Sequence, residues 1–537
     1  MDKKISVTLY TDWMGGFMEK DKVVSTVIGC DQEPIHLLNG IQSHGLLFAL
    51  SEPELIILQV SDNIETITGI EAEHLLNQPI SHLLGLPQVD PIKQRLVMEP
   101  DALRQLDVLS FHLNVRGERQ LFHGCLHRSG AVLILELEAD LLFNYARELI
   151  RSPYWHYQQI KVLTSKLQKI RDVQQLQNIV VKEVRRLTGF ERVMLYKFDT
   201  DWHGHVVAES KTPEARSFLG LHFPASDIPA QARALYRRHW LRGIANIDKA
   251  PAQLIPELNP LTKERLDLSH SVLRSVSPIH VKYLRNMQVQ SSLSISVLKD
   301  EQLWGLIACH HSTPKYVDYP TRTVCEVIGQ IVSIQMDLCE NLTLYEKILR
   351  LETDKLRLDD ILKLAAGLEQ TRAPDAWNRL RRMVSADGVA VKFKEKQLRI
   401  GLTPTQAQID RLIDWLETNQ AGYLFFTDCL QQHYPEAADF SDVAAGLISL
   451  YVNQMELRYI LWFRQEFVKT VDWAGNPEKQ LQSVEEMPIS PRKSFAVWRS
   501  TVRHHALPWE IYELENAMSL YDLHDLSEEF WPEDAQP

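Results

Sequence analysis

The residues of this sequence best placed to do chemistry are two histidines, an aspartate, a group of arginines, a row of serines and one cysteine. His280, in Ser277-Pro278-Ile279-His280, and His310, in Ala308-Cys309-His310-His311, are proton-exchanging side chains near neutral pH. Asp227 lies in Phe223-Pro224-Ala225-Ser226-Asp227-Ile228-Pro229, a loop running into a helix. There Ser226 and Asp227 are capping types and Pro229 suits a first helical turn. Taken alone, the segment is an ordinary helix start. The helix expected after it carries Arg233, Tyr236, Arg237, Arg238 and Arg242. Arginines on one helix usually form a solvated face. A guanidinium fork also holds a carboxylate well, and Arg274 offers a second fork. The run Ser291 to Leu298 alternates, with Leu293, Ile295 and Val297 on one face and Ser292, Ser294 and Ser296 on the other. Solvent is the plain expectation for such a row of hydroxyls; turned inward, they suit a polar ligand. Cys30 precedes Asp31-Gln32-Glu33-Pro34-Ile35-His36. A lone cysteine is normally a small buried apolar residue. It is a nucleophile only where its thiolate is stabilised and an electrophile is presented. The histidines show no recognisable metal-ligand spacing.

These residues must be positioned by a chain of mixed α+β character. Gly45–Leu50 and Leu55–Val60 read as neighbouring strands joined by Ser51-Glu52-Pro53, and Leu106–Val115 and Ala131–Leu137 continue the pattern. From Leu141 to Leu187 apolar residues recur at three- and four-residue steps, as in helices. Strands follow at Arg192–Phe198, Ser291–Leu298 and Leu303–His311. The segment Gln330–Ala366 has neither Pro nor Gly. With the residues just before it, it carries Val327, Ile331, Ile334, Leu338, Leu342, Leu349 and Leu351 at roughly helical spacing. A helix this long bridges domains or pairs with a partner copy. Residues 367–520 return to α+β patterning, and no tandem repeat is present.

Bulk properties bound the function. The 537 residues suffice for three or four domains. A net charge of -12 argues against a nucleic-acid binder. No apolar run reaches the length of a membrane span, and charged residues interrupt the N-terminal segment where a signal peptide would need an apolar core. The six cysteines (30, 125, 309, 325, 339 and 429) form no CxxC pair, which suits a reducing cytoplasm.

In this order, Cys30–His36, Gly40-Ile41-Gln42-Ser43-His44-Gly45, Pro224–Pro229, Leu273-Arg274-Ser275-Val276-Ser277-Pro278-Ile279-His280 and Pro491-Arg492-Lys493-Ser494-Phe495 match one family. The chain resembles the bacteriophytochromes over about residues 24 to 520. Trp473-Ala474-Gly475-Asn476-Pro477 resembles their tongue region. The resemblance implies three tandem sensor domains joined by long helices. An N-terminal segment (1–35) bears the attachment cysteine. PAS (36–140), GAF (141–335) and PHY (336–520) domains follow, with a tongue at 463–505 and an acidic tail at 521–537. It further implies a figure-of-eight knot, in which the N-terminal segment threads a loop of the GAF domain.

By the same resemblance, the chain is a cytoplasmic red/far-red photoreceptor that photoisomerises biliverdin held by a thioether to Cys30. Plant and many cyanobacterial relatives carry their cysteine just before the GAF histidine, where this chain has Ile279, so the upstream cysteine implies biliverdin. Asp227, His280 and His310 would surround the pigment. Arg242, Arg274, Tyr236, Ser292 and Ser294 would hold its propionates, and Tyr196 and Tyr283 would line its terminal ring. Asp227 would pair with Arg492 in the resting state and with Ser494 after activation, while the tongue passes from hairpin to helix. A homodimer is expected, with no nucleic-acid or membrane partner. Leu38, Ser43 and Gln288 depart from the family's usual proline, proline and glycine.

Two other classes compete with this reading. A bilin-modifying enzyme would need an electron source, and no flavin or iron-sulfur motif is present. A dimeric scaffold without pigment would not need Cys30, Asp227, His280 and His310 together. No ATP-binding box, GGDEF or EAL string follows residue 520, so this chain itself carries no catalytic output. Relatives usually continue into a histidine kinase or a cyclic-dinucleotide enzyme, and the downstream partner is open.

Overall fold

The computed structural model describes residues 33–98, 107–140, 153–352, 374–393, 396–420, 422–454, 457–477 and 494–520. In chain order the strands that position the site are β1 (Gly40–Ile41), β2 (Gly45–Leu50), β3 (Ile57–Ser61), β4 (Asp107–Val115), β5 (Glu118–Ser129), β6 (Val132–Ala139), β7 (Arg192–Phe198), β8 (Gly204–Lys211), β9 (His222–Phe223), β10 (Leu241–Ile244), β11 (Ala252–Ile255), β12 (Ser291–Lys299) and β13 (Gln302–His311). Five more, β14 (Gly388–Phe393), β15 (Lys396–Gly401), β16 (Leu424–Thr427), β17 (Gly446–Gln454) and β18 (Leu457–Arg464), belong to the C-terminal unit, as does the hairpin β19 (Lys469–Ala474) and β20 (Val497–Val502).

Three sheets result, and two of them take strands from elsewhere in the chain. The first runs β1-β11-β3-β2-β6-β5-β4, so Ala252–Ile255 enters a sheet otherwise built from the first 139 residues. Residues 36–42 bond to the same excursion. Leu268 N–H donates to the His36 carbonyl (2.9 Å), Gln42 N–H to that of Leu273 (2.7 Å), and Ser275 N–H to that of Gly40 (2.9 Å). The second sheet runs β10-β12-β13-β7-β8-β9-β19-β20, extending the central domain's sheet with the hairpin of the last domain. The third, β15-β14-β18-β17-β16, is covered on both faces by apolar clusters around Trp462 and Phe463.

Alternation along β12 explains the central layer. Leu293, Ile295 and Val297 join Val193, Leu195, Ile307 and Cys309 in a core closed by the helices Val173–Thr188 and Tyr319–Glu352. Burying one such side chain contributes roughly 1.5–3 kcal/mol. Gly329 lets the long helix approach this sheet, because a Cβ there would lie 2.7 Å from Ile295 Cγ2.

Several expectations need correction. The helix bearing the arginines spans Ala230–Arg238, so Arg242 lies on β10, not on that helix. Pro229 is its N-cap, and neither Ser226 nor Asp227 caps it, because Ala225–Asp227 form a separate 3₁₀ turn. The serines of β12 are buried rather than solvent-facing. The long helix starts at Tyr319, well before Gln330. Of its expected stripe, Ile331 packs on the core, whereas Ile334 and Leu349 stay 73% and 66% exposed. Gln288 keeps the left-handed turn (φ 60°) that glycine adopts most readily.

Candidate functional site

The face of the central sheet opposite its core collects the singled-out residues. Cross-strand register sets Arg242 beside Ser294, Ser292 beside His310, and His310 beside Arg192. Directly paired residues share a face, so guanidinium, hydroxyls and imidazole form one polar strip. Towards the other end of the same face, Met194, Tyr196, Leu306 and Ala308 form an apolar floor with Phe198 and Phe223. Gly204 is required there, since a Cβ would collide with the Tyr196 ring.

The helix Pro278–Asn286 closes the face from the side. Ser277 caps it by accepting from Ile279 N–H at 3.2 Å, and it brings His280 and Tyr283 together with ring centroids 6.0 Å apart. The Tyr283 hydroxyl donates to Asp227 Oδ2 at 3.1 Å. Tyr283 also meets Phe495 edge-on at 5.3 Å, and the Phe495 carbonyl accepts from Arg216 Nη2 at 2.7 Å. A residue just before β20 is thereby anchored beside Asp227. Among the described residues, the strand pair registers with the central sheet at Trp473 against His222.

Electrostatics sharpen the assignment. Burial, with the nearby Arg242 charge, lowers the His280 pKa to about 4. Burial, with Arg192 and His280, holds His310 well below the ordinary value. Both rings are therefore neutral near pH 7. Arg192 Nη2 lies 3.3 Å from His310 Nδ1. An arginine only donates, so Nδ1 accepts and the His310 proton resides on Nε2. Arg192 is a functional residue the sequence did not flag, since an arginine opening a strand carries no motif.

Arg274 is 7% exposed and Arg242 partly buried. Burial lowers both pKa values, Arg242 to about 9 with help from the Arg274 charge. Among the described residues neither guanidinium has a carboxylate within salt-bridge distance. Arg242 donates to the carbonyls of Val272 (3.2 Å), Arg274 (2.6 Å) and Ser275 (3.0 Å), and Arg274 only weakly to those of Leu268 and Ser269 (3.4 and 3.3 Å). Gln42 braces this strand, donating to the Gly243 carbonyl and accepting from Ala245 N–H. Ser291 and Ser296 donate to backbone carbonyls, whereas among the described residues the Ser292 and Ser294 hydroxyls form no hydrogen bond. Desolvated cations beside spare hydroxyls favour an anionic ligand. With the aromatic floor, they fit a long apolar molecule bearing carboxylates.

Tyr236 flanks the two arginines from the helix Ala230–Arg238. Arg233 instead pins the loop, donating to the Ile228 carbonyl at 2.6 Å, while Arg237 and Arg238 face outward. Ser494 is exposed. Cys30 and Arg492 lie outside the described residues. Among those described, no helix is long and apolar enough to cross a membrane.

Comparison with known proteins follows the same division. Residues 30–140 match a PAS fold model, 172–336 a GAF domain model and 364–528 a phytochrome region model. The chain is 41% identical over 493 residues to cyanobacterial phytochrome B of Nostoc, covering 91% of this chain and 65% of that one. It is 33% identical to a bacteriophytochrome of Xanthomonas campestris, covering 93% and 78%. Among solved structures, the Stigmatella aurantiaca phytochrome photosensory core module superposes with TM-score 0.75 at 39% identity, covering 92% and 97%. A bacteriophytochrome of R. palustris gives TM-score 0.76 at 34% identity, covering 91% and 97%. The chain spans 64–65% of the length of the first cyanobacterial relatives it matches.

Proposed function

The chain belongs to the phytochromes as a PAS-GAF-PHY photosensory core, and from that premise we propose that it senses red and far-red light through biliverdin joined by a thioether to Cys30. The observation that carries this reading is a pair of buried arginines with no carboxylate partner among the described residues, of which Arg242 lines up with the Ser292 and Ser294 hydroxyls and the neutral His310 along a face that continues into an aromatic floor. Arg242, Arg274, Tyr236, Ser292 and Ser294 would hold the propionates, and Tyr196 and Tyr283 would line the terminal ring. When bound, the pigment supplies one photoisomerisable double bond. His310, its proton fixed on Nε2 by Arg192, offers a hydrogen bond to a ring carbonyl. His280, neutral for the reason above, offers a second polar contact without adding charge.

The switch would pass through Asp227. Its carboxylate is tied to Tyr283, and Tyr283 to Phe495, so a change at the ring reaches the strand pair β19–β20 within two contacts. We assign residues 463–505 as the tongue, with Arg492 and Ser494 as alternative partners of Asp227. We likewise read residues 36–42, bonded on both sides by the 252–275 excursion, as the threaded strand of a figure-of-eight knot.

The decisive measurement is the absorption spectrum of the chain loaded with biliverdin, before and after red light. Reversible photoconversion is expected. A permanent change of the pigment in the dark would favour the bilin-modifying enzyme. Cys30→Ala should still bind the pigment but release all of it on denaturation, read as loss of the zinc-enhanced fluorescent band on a denaturing gel. A surviving band would assign attachment to another residue.

The photoreceptor should also be a homodimer. Ile334, Leu338, Tyr345 and Leu349 leave an exposed apolar stripe along the long helix, with exposures of 73%, 42%, 65% and 66%. Such a stripe is stabilised by a partner helix. Light scattering should give about twice the 62.0 kDa chain mass, and Ile334→Glu with Leu349→Glu should return it to the monomer. A monomeric parent chain at micromolar concentration would remove this interface.

A further inference from the structure

We propose that Glu136, on the PAS sheet, is a positioning residue for the anion-binding end of the pigment site, because it fixes the backbone of Ser271–Leu273 from which Arg274 follows. This rests on the pigment reading above.

Side chains alternate in facing along β6. Leu133, Leu135 and Leu137 point into the PAS core. Val132 and Ile134 point the other way, into a cluster shared with Leu266, Leu268 and Leu273 of the GAF excursion. Glu136 and Glu138 continue that second face, 1% and 3% exposed. A carboxylate so deeply buried needs partners. Those of Glu138 are charged or aromatic: Arg322, His44 and Tyr316. Those of Glu136 are three donors from consecutive residues. Oε2 accepts from the Ser271 hydroxyl at 2.7 Å and from Leu273 N–H at 2.7 Å, and Oε1 from Val272 N–H at 3.1 Å.

Among the described residues, no cation compensates Glu136 directly. His127 Nδ1 stands 3.6 Å away, but burial and the neighbouring His270 and His239 lower the His127 pKa to about 3, so this contact is not an ion pair. His239, from beyond the Ala230–Arg238 helix, is likewise lowered to about 4 by burial first and His270 second. Burial raises Glu136 itself to about 7, against the pull of its three hydrogen bonds. The carboxyl is thus held at a cost to its charged form, in a place where its geometric product is one ordered segment. That segment and the residue following it supply the Val272 and Arg274 carbonyls that receive Arg242. Both guanidiniums are oriented through it. Gly45 fits the same arrangement, since a Cβ there would lie 2.5 Å from Leu273 Cδ1.

A purely structural residue would weaken every ligand alike, whereas a residue acting through Arg274 and Arg242 would weaken only ligands that present carboxylates. Biliverdin and its dimethyl ester, whose propionates are uncharged, separate the two. Dissociation constants of both would be measured by titration in the full chain, in a Cys30→Ala background so that binding is reversible. In the parent, biliverdin should bind more tightly than the ester. Glu136→Gln retains one acceptor oxygen and should lower that preference by about tenfold, the scale of one or two lost hydrogen bonds. Ser271→Ala, which removes one donor and leaves the carboxyl, should lower it in the same direction and serves if the first variant folds poorly. An unchanged preference in the folded variants would overturn the proposal. A preference that rises would overturn it too, since the carboxylate would then act through its charge on the arginines and not through position. If the parent binds neither pigment, the pigment reading itself fails.

Discussion

Arg322→Ala is expected to destabilise the folded chain by about 3–5 kcal/mol at neutral pH, the scale for stranding one member of a buried ion pair. Arg322 Nη2 lies 2.5 Å from Glu138 Oε1, with side chains 12% and 4% exposed. Glu138 also accepts from His44 Nε2 at 3.2 Å and from the Tyr316 hydroxyl at 3.3 Å. Arg322 opens the long helix, while Glu138 ends the PAS strand β6, so the pair fastens the helical spine to the first domain. The pH dependence has a definite sign. Burial pushes the Glu138 carboxyl up, but Arg322 and His44 outweigh it and hold the group below its ordinary value of 4.5. A depressed carboxylate contributes stability that is present above its unfolded pKa and lost as pH falls through the folded one. Without the arginine, burial dominates and the protonated form is preferred. The variant's deficit should therefore be greatest near pH 7 and shrink towards pH 4. Urea midpoints of parent and variant across that range test this. A deficit below about 1 kcal/mol, the scale of exposed pairs, or one flat with pH, would show the pair to be screened by solvent. Glu138→Gln combined with Arg322→Met should recover much of the loss, since the stranded charge is then gone.

Arg492→Ala should impair formation or lifetime of the red-shifted state while leaving pigment attachment intact, if Arg492 pairs with Asp227 as proposed. Asp227 already accepts from Tyr283, and Phe495 is 6% exposed against that ring, so chain adjoining Arg492 is anchored next to the aspartate. Removing one partner of a partly buried pair costs on the order of 3–5 kcal/mol. About 5.5 kcal/mol carries a two-state equilibrium from 1:99 to 99:1, so the effect is close to a complete shift. The comparison is the red-illuminated spectrum and its dark decay in parent and variant. Unchanged conversion and decay would make the pair a bystander, and the signal would then travel through Phe495 and the helix Tyr319–Glu352.

Local patterns carried much of this protein in plain view. Alternation in Ser291–Leu298 gave a strand with one apolar and one hydroxyl face because side chains on a strand have a period of two, whatever surrounds it. The ordered stretches around Asp227, Arg274 and His280 identified the family, whereas the arginines alone read first as a solvated face and only second as forks for a carboxylate. Tertiary structure decided what depends on groups distant in the chain. Whether the serine face meets solvent or ligand is set by what packs over β12. Arg242 falls on β10 because the helix ends at Arg238, where the Ser296 hydroxyl donates to the carbonyls of Tyr236 and His239. The tautomer of His310 follows from Arg192, and the buried carboxyls of Glu136 and Glu138 find the partners described above 94 to 184 residues away in sequence. Those choices follow from desolvation. A charge removed from water takes its nearest donors in space, and chain order does not determine which donors those are.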